Sequence, residues 1–388
     1  MPEKTVFVSR KRSRGRHAWV FSNEVQRTEG DPGLGDVVRV YDRQKFLGSG
    51  IYNPNSLIRI RLYSDEDEDL DLPFLKKRLR AAWQYRLTQL PGETDFRLVY
   101  GESDGVPGLV VDKYGQHFVL QTYAAGMDQR KEIAVQALVE TFEVHSVYEK
   151  NDFRLREAEG LERREGLLYG QPEERVVIKE NGAKFYVDFT HGQKTGYYYD
   201  QRVTRRKVRE LARGRRFLDV FCYTGGFAVN AALGGAREVV AVDGSVPAAN
   251  LAAANAELNG VSDRCRFVVA EAFTYLAELG QKGERFDLVC LDPPAFIKSQ
   301  KEKERGIKGF RTINTLAMKL LSPGGILVTC SCSHYLFWQD MFDMLALAAQ
   351  DSGRGFVVMD RVTQGPDHPV LLAMRESEYL RCFILRVS

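Results

Sequence analysis

No stretch of this 388-residue chain approaches the roughly 20 consecutive apolar residues that a helix needs to cross a bilayer, so an integral helical membrane protein is excluded. An excess of one charge is missing too. Lys and Arg number 55 against 52 Asp and Glu, and a net of +3 argues for no polyanionic partner by its total alone. Cysteine is sparse. Its six residues (Cys222, Cys265, Cys290, Cys330, Cys332 and Cys382) are irregularly spaced, and the basic stretch Met1–Phe21 leads into no apolar run of the kind a signal peptide or anchor requires. Reduced thiols and a cytoplasmic location are therefore expected. Cys330-Ser331-Cys332 has neither a matching second pair nor clustered histidines, so no metal site is expected.

What is present is ordinary for a soluble protein, 44% hydrophobic and 28% charged, in a chain too long for a single core. Between Gly35 and Tyr63, alternating runs (Val38/Val40 and Ile58/Ile60/Leu62) broken by Gly48, Gly50 and Asn53-Pro54 predict a small all-β domain over residues 1–70. The acidic run Asp65–Asp69 is expected to be a solvated linker. Residues 71–190 predict a mixed α+β domain: helices over the segment FLKKRLRAAWQYR and near Arg130 to Phe142, and strands near Phe96, Leu109, Phe118, Val176 and Lys184. From about His191 the pattern becomes helix alternating with short apolar strands (RFLDVF, EVVAVD, RFVVAE, FDLVCLD, GILVTCS). Residues 191–388 are thus expected to form a doubly wound, Rossmann-like parallel sheet, whose ligands sit beyond the carboxyl ends of the strands.

Three successive strand ends carry a coherent chemistry. The first runs from Asp219 through Phe221 and Tyr223 into Thr224-Gly225-Gly226, where glycine lets a ligand approach the backbone. The spacing is not G-x-G-x-x-G, which disfavours nicotinamide. The second ends in Asp243, with Ser245 beyond it, and offers a carboxylate to both hydroxyls of a ribose. The third ends Glu271-Ala272-Phe273, suited to an adenine amino group and ring. Carboxylates at these ends, with Asp219 near the turn, favour the cation of S-adenosyl-L-methionine.

The fourth strand delivers Asp292-Pro293-Pro294-Ala295-Phe296 and the fifth Cys330-Ser331-Cys332-Ser333-His334. Methylating C5 of a pyrimidine needs a thiolate at C6, and Asp292, protonated or sharing a proton with cytosine N3, would stabilise the adduct. Asp292 is also counted among the cofactor contacts. Cys332 is the expected nucleophile and Cys330 the lesser candidate; residues i and i+2 of a strand share a face, so periodicity does not separate them.

These elements, with Gln193-Lys194-Thr195-Gly196-Tyr197-Tyr198-x-Asp200-Gln201-Arg202, resemble the bacterial 23S ribosomal RNA cytosine-C5 methyltransferases of the RlmI type. The likeness runs nearly end to end. It takes in Gly15-x-His17-x-Trp19-Val20-Phe21 and Asn53-Pro54-x-Ser56 of that family's β-barrel PUA RNA-binding domain, and Gly105–Leu109 of its middle domain. The resemblance implies a class I methyltransferase domain, Cys332 as nucleophile, and cofactor contacts from Asp219, Asp243 and the Thr195–Tyr198 segment, Thr195 and Tyr197 among them. It implies as partner 23S ribosomal RNA or a large-subunit assembly intermediate, with a homodimer allowed. Glu271 stands where Asp is more usual, and Cys330 adds a second thiol. Ala295 stands where other RNA cytosine-C5 methyltransferases carry a second cysteine, so product release must use another base or water.

Basic residues cluster at Arg10–Arg16, Arg202–Arg216 and Lys298–Arg311. Arg12, Arg14, Lys298, Lys301 and Arg305 are the expected RNA contacts, to backbone phosphates around a flipped base. Two other functions fit the same residues. One is an exocyclic-amine methyltransferase using Asp-Pro-Pro-x-Phe without a cysteine; the other is a ribosome-assembly factor that binds RNA without catalysis.

Overall fold

The computed structural model describes residues 4–10, 15–171, 173, 175–192, 194–297 and 299–388. The chain packs as two compact units. The first comprises Met1–Ile178, Val187–Tyr199 and Pro366–Ser377, and the second Lys179–Tyr186, Asp200–Gly365 and Glu378–Ser388. Three segments thus cross the expected boundary at residues 190/191: Lys179–Tyr186 joins the second unit, while residues 191–199 and Pro366–Ser377 belong to the first.

In the first unit, a six-stranded sheet orders its strands Trp19–Phe21, Ile58–Ser64, Lys45–Tyr52, Val37–Asp42, Thr5–Val8 and Val25–Glu29. Strand Lys45–Tyr52 needs its glycines: a Cβ on Gly48 (φ 141°) would lie 2.0 Å from the Ser64 carbonyl oxygen. A second, five-stranded sheet runs Arg164–Gly170, Ser146–Asn151, His117–Thr122, Leu109–Tyr114, Phe96–Tyr100. Helix Leu72–Gln89 packs with it. That helix starts where Asp71 accepts a hydrogen bond from the Phe74 amide at 2.9 Å, with a proline in its first turn. One core joins the two sheets, since Ile51 and Tyr63 of the first are buried with Phe74, Phe96 and Phe118.

The acidic run is no free linker. The Ser49 hydroxyl donates to the Glu66 carbonyl at 2.9 Å, the Tyr63 hydroxyl to that of Glu68 at 2.6 Å, and Asp69 pairs with Arg39 at 2.9 Å. The run is solvated as its composition suggests, with Asp65, Glu66, Asp67 and Asp69 exposed, while its backbone carbonyls and the Asp69 carboxylate have partners on the adjoining sheet.

The same unit buries a charge cluster. The Arg61 guanidinium donates to Glu102 at 2.8 Å and to Glu159 at 3.0 Å. Glu102 also accepts from Trp19 Nε1 and the Tyr123 hydroxyl, and Glu159 from Asn53 and Ser56. Burial works against the charge on Glu102, yet Arg61, Tyr123 and Trp19 bring its carboxyl below the ordinary value. Trp19, Asn53 and Ser56 of the resemblance motifs are therefore tied to a structural node.

The second unit is a seven-stranded sheet with helices. We number its strands β1 (Arg216–Val220), β2 (Glu238–Asp243), β3 (Cys265–Val269), β4 (Phe286–Leu291), β5 (Leu321–Ser331), β6 (Phe356–Thr363) and β7 (Arg381–Val387). Their order in space is β3-β2-β1-β4-β5-β7-β6, with β7 antiparallel to both neighbours and the first five parallel. The helices are α1 (Arg202–Leu211), α2 (Gly226–Leu233), α3 (Val246–Leu258), α4 (Ala272–Gln281), α5 (Lys303–Leu320) and α6 (Trp338–Ser352). Apolar strands are buried because helices cover the sheet: Leu218, Val240, Val289, Leu327 and Phe383 share a core with Leu276, Phe310, Ile313 and Met341. No helix among the described residues is long and apolar enough to cross a membrane.

Replacing Arg61 by Met should leave two buried carboxylates without their cation, at a cost of about 3–5 kcal/mol. Urea unfolding of the full chain, followed by tryptophan fluorescence, measures it; a loss below about 1 kcal/mol would show that the node does not hold this unit together.

Candidate active site

The parallel strands end together, and the expected residues of the second unit lie at those ends. Asp219, the penultimate residue of β1, is fully buried. Its Oδ2 accepts from the Ala228 amide at 2.9 Å, which caps the start of α2. Its Oδ1 is sealed from solvent and has no partner among the described residues. Burial raises the Asp219 carboxyl well above its ordinary value, and the charges of Asp292 and Asp243 push the same way.

Between β1 and α2 the chain makes a strained turn. Phe221 (φ 65°) and Tyr223 (φ 46°) are both left-handed, a conformation that costs a non-glycine residue on the order of 1–3 kcal/mol. Surrounding bonds hold it: the Cys222 amide donates to the Val242 carbonyl at 3.0 Å, the Gly225 amide to that of Cys222 at 2.8 Å, and Asn255 to that of Thr224 at 2.9 Å. Gly225 (φ 78°) closes the turn, where a Cβ would stand 3.0 Å from that of Ala252.

Asp243, at the end of β2, accepts from the Tyr223 amide through Oδ2 (2.8 Å) and from the Ser245 amide through Oδ1 (2.9 Å), so each oxygen keeps a lone pair for a further donor. Ser245 caps α3 through the Ala248 amide. Glu271 caps α4: its oxygens accept from the amides of Phe273 (3.1 Å) and Thr274 (2.8 Å) and from the Thr274 hydroxyl (2.9 Å). That leaves one lone pair, on Oε1, for an adenine amino group. Ala272 is buried behind it.

Asp292 follows β4 directly. Its Oδ1 accepts from Gln201 Nε2 at 2.8 Å. Phe296 stacks at a tilt against Phe310 (4.7 Å) and Phe273 (6.1 Å). Phe273 and Phe296, with Pro294, Ala295, Gly306 and Gly309, line a cleft of about 540 Å³ that Glu302 and Arg305 border. Another cleft, of about 500 Å³ between Gly235–Glu238 and Asp263–Arg266, opens at the amino ends of β2 and β3, the wrong end of the sheet for this chemistry.

The two thiols differ in setting. Cys330 lies within β5, fully buried and opposite Cys382 of β7, with 2.9 Å between the sulfurs. Burial, followed by the contact with Cys382, pushes its thiol well above the ordinary range. Cys332 is half-buried and lies past the strand, which ends at Ser331. The shared-face argument fails here because strand periodicity stops between them. His334, exposed, packs its ring 5.8 Å from Tyr379.

The remaining expected contacts lie elsewhere. Thr195 and Tyr197 belong to the first unit, where the Thr195 hydroxyl donates to Asp112 at 2.6 Å and Tyr197 meets Tyr199 edge-on. Lys301 and Arg305 are exposed. Arg12, Arg14 and Lys298 lie outside the described residues. In the basic cluster Arg202–Arg216, Arg202 and Arg205 are buried and several cations are paired: Arg205 bidentately with buried Glu180, Lys207 with Asp360 and Arg216 with Glu238. These paired charges hold the unit together instead of forming an open phosphate surface.

Sequence reasoning passed over Gln201, Asp200, Tyr379 and Cys382. Asp200 and Gln201 stood in a quoted motif, but nothing in the pattern aimed them at Asp292 or Tyr379. Among the described residues no cluster of three or more His, Cys, Asp or Glu side chains could hold a metal.

A sealed carboxyl oxygen, a ribose-competent Asp243 and a convergence of acids fit a cationic nucleoside. The profile of the S-adenosylmethionine-dependent methyltransferase family matches residues 113–371, and that of a PUA-like domain residues 9–65. The chain is 42% identical over 379 residues to ribosomal RNA large subunit methyltransferase I of Aeromonas hydrophila, covering 96% of this chain and 95% of that one. Its counterpart in Photobacterium profundum is 42% identical over 97% of this chain and 96% of that one, and that of Escherichia coli O139:H28 is 40% identical over 96% of each. The fold matches a chain from Streptococcus mutans, provisionally assigned to the SAM-dependent methyltransferases, with TM-score 0.84, 22% identity and coverage of 99% of this chain and 100% of that one. A second solved chain, provisionally a methyltransferase and complexed with SAH, gives 0.83 at 22% identity, with 99% and 100% covered. The chain is an S-adenosylmethionine-dependent methyltransferase and belongs to the family of the large-subunit ribosomal RNA methyltransferases I.

Proposed function

We propose that this enzyme methylates C5 of a cytosine in 23S ribosomal RNA, with Cys332 as nucleophile and Asp292 as the group that meets the base. The names of the relatives support ribosomal RNA as substrate, and the PUA-like domain supports an RNA partner. The observation that carries the reading is the placement of Asp292 and Cys332 just past the ends of β4 and β5, neighbouring parallel strands in which Leu291 pairs with Thr329.

S-Adenosylmethionine supplies an electrophilic methyl group when bound. Asp219, Asp243 and Ser245, the turn Phe221, Tyr223 and Gly225, Glu271 with Ala272, and Asp292 would hold it, with Thr195 and Tyr197 assigned to it by resemblance. The Cys332 sulfur, as thiolate, adds to C6 of the cytosine and pushes the ring electrons towards C5, which takes the methyl group as that group's bond to the sulfonium sulfur breaks, leaving a neutral thioether. Asp292 shares a proton with N3 and so stabilises the electron-rich ring. Loss of the C5 proton to a base or water expels the thiolate and restores the double bond. Lys301 and Arg305, with Arg12, Arg14 and Lys298, would contact RNA phosphates.

Cys332→Ala should abolish methylation, measured as 5-methylcytosine in 23S RNA by mass spectrometry. Cys330→Ser, which keeps a buried neutral donor at that place, should keep the rate within about threefold, since the buried, protonated thiol is no nucleophile. Turnover retained by Cys332→Ala would overturn the covalent scheme in favour of direct attack by an exocyclic amine.

A second expectation concerns Asp219. Folding raises its proton affinity, so its contribution to stability is complete below about 3.8, the ordinary value, and is lost as pH rises through the folded value. Without cofactor, Asp219→Asn should therefore lose less stability than the parent between pH 5 and pH 8 in thermal unfolding. Calorimetry should show its affinity for S-adenosylmethionine falling about tenfold, and that for uncharged S-adenosylhomocysteine falling less. Equal losses for both ligands would remove Asp219 from charge recognition.

A further inference from the structure

Gln201 has no part in the scheme above, yet it occupies a defined position within it. Its side chain is 2% exposed, with Nε2 donating to Asp292 Oδ1 at 2.8 Å and Oε1 facing the Cys330 sulfur at 3.9 Å. Chemistry settles which end of the amide points where. A carboxylate oxygen of Asp292 can only accept, so it takes Nε2 and leaves Oε1 on the side of the Cys330 thiol. The side chain is thus held at both ends.

Its backbone is held as well. Gln201 is the residue that opens α1. The preceding Asp200 accepts from the Gly365 amide through its carbonyl (2.9 Å) and from the Tyr379 hydroxyl through Oδ2 (2.5 Å). Segments that flank β6 and β7 therefore fix the place from which Gln201 reaches to Asp292. A glutamine that merely filled space would need no donor facing a carboxylate and no acceptor facing a thiol.

We propose that Gln201 is a positioning residue for Asp292, a neutral donor that fixes the plane of the carboxyl group while leaving it able to take up and return a proton. The proposal rests on the reading of Asp292 as the group that meets the base. Neutrality is the essential property: an arginine or lysine in the same place would hold Asp292 as a permanent carboxylate and end its proton sharing with N3. An apolar side chain would leave one carboxyl oxygen without its partner and the plane undefined.

The test compares Gln201→Met, which keeps the volume without the donor, with Gln201→Glu, which keeps the shape and replaces the donor by an acid. Each is assayed for kcat on 23S RNA across pH, for S-adenosylmethionine affinity by calorimetry, and for thermal stability; Asp292→Asn and the double variant Gln201→Met/Asp292→Asn complete the set. Both Gln201 variants should bind the cofactor within about twofold of the parent and lose about 100-fold in kcat, as a misplaced catalytic group does. The alkaline limb of the kcat profile should move up by about one pH unit, because loss of a donor or gain of a neighbouring acid raises a carboxyl's proton affinity. On the Asp292→Asn background, Gln201→Met should add less than about twofold. A parental rate and pH profile in Gln201→Met, with Asp292→Asn inactive, would overturn the positioning role alone, as would additive losses in the double variant or failure of both Gln201 variants to fold. A parental rate in Asp292→Asn would instead overturn the underlying reading of Asp292.

Discussion

The buried carboxyl of Asp219 accepts one hydrogen bond, from the Ala228 amide, and turns its other oxygen into a space closed to solvent. A group in that state destabilises the fold unless it stays protonated or gains a cation. Asp243 and Asp292 stand near enough to raise its proton affinity further. Three parallel strands therefore deliver acids to one place, and the fold tolerates the arrangement because α2 begins there with its amides forward. The strained residues Phe221 and Tyr223 belong to the same compromise, since the turn must bring backbone close to Asp243 before the helix can start. A positively charged sulfonium placed among these acids would offset the repulsion between them.

Much of this was legible in the sequence. Buried parallel strands are nearly continuous apolar runs, and an acid at the end of such a run stands out, as Asp219, Asp243 and Asp292 do. The strands Ser146–Asn151 and Arg164–Gly170 did not stand out, because SVYEKN is polar and REGLLYG is largely exposed. Charge showed less than it suggested. The acidic run Asp65–Asp69 is exposed as expected, yet its carbonyls bond to Ser49 and Tyr63, and in the basic run Arg202–Arg216 the cations Arg205, Lys207 and Arg216 are paired with Glu180, Asp360 and Glu238. Local sequence shows the charge but not the distant partner. Glu180 lies 25 residues before Arg205, on the hairpin segment that joins this unit from the other side of its boundary.

The same limitation explains why the nucleophile was ambiguous. Periodicity places Cys330 and Cys332 on one face only while the strand continues, and β5 ends at Ser331. One thiol is thereby locked against Cys382 in the core, and the other is left half-buried past the strand end. A nucleophilic thiol must ionise, and full burial opposes ionisation. The distinction is one of solvation, which a residue's neighbours in sequence do not report.

Cys330 then needs its own account, since a valine could fill the same place in β5 beside the cysteine proposed to attack. The contact with Gln201 supplies one. A valine in β5 would pack as well but would leave Gln201 Oε1 facing an apolar wall, and a buried amide oxygen without a donor costs about 1–3 kcal/mol. Burial keeps Cys330 protonated beside Oε1, while Gln201 offers Nε2 to Asp292. The two thiols of the motif therefore differ by solvation: Cys332, half-buried, is the one proposed to attack, and Cys330, sealed and neutral, faces the amide proposed to position the acid.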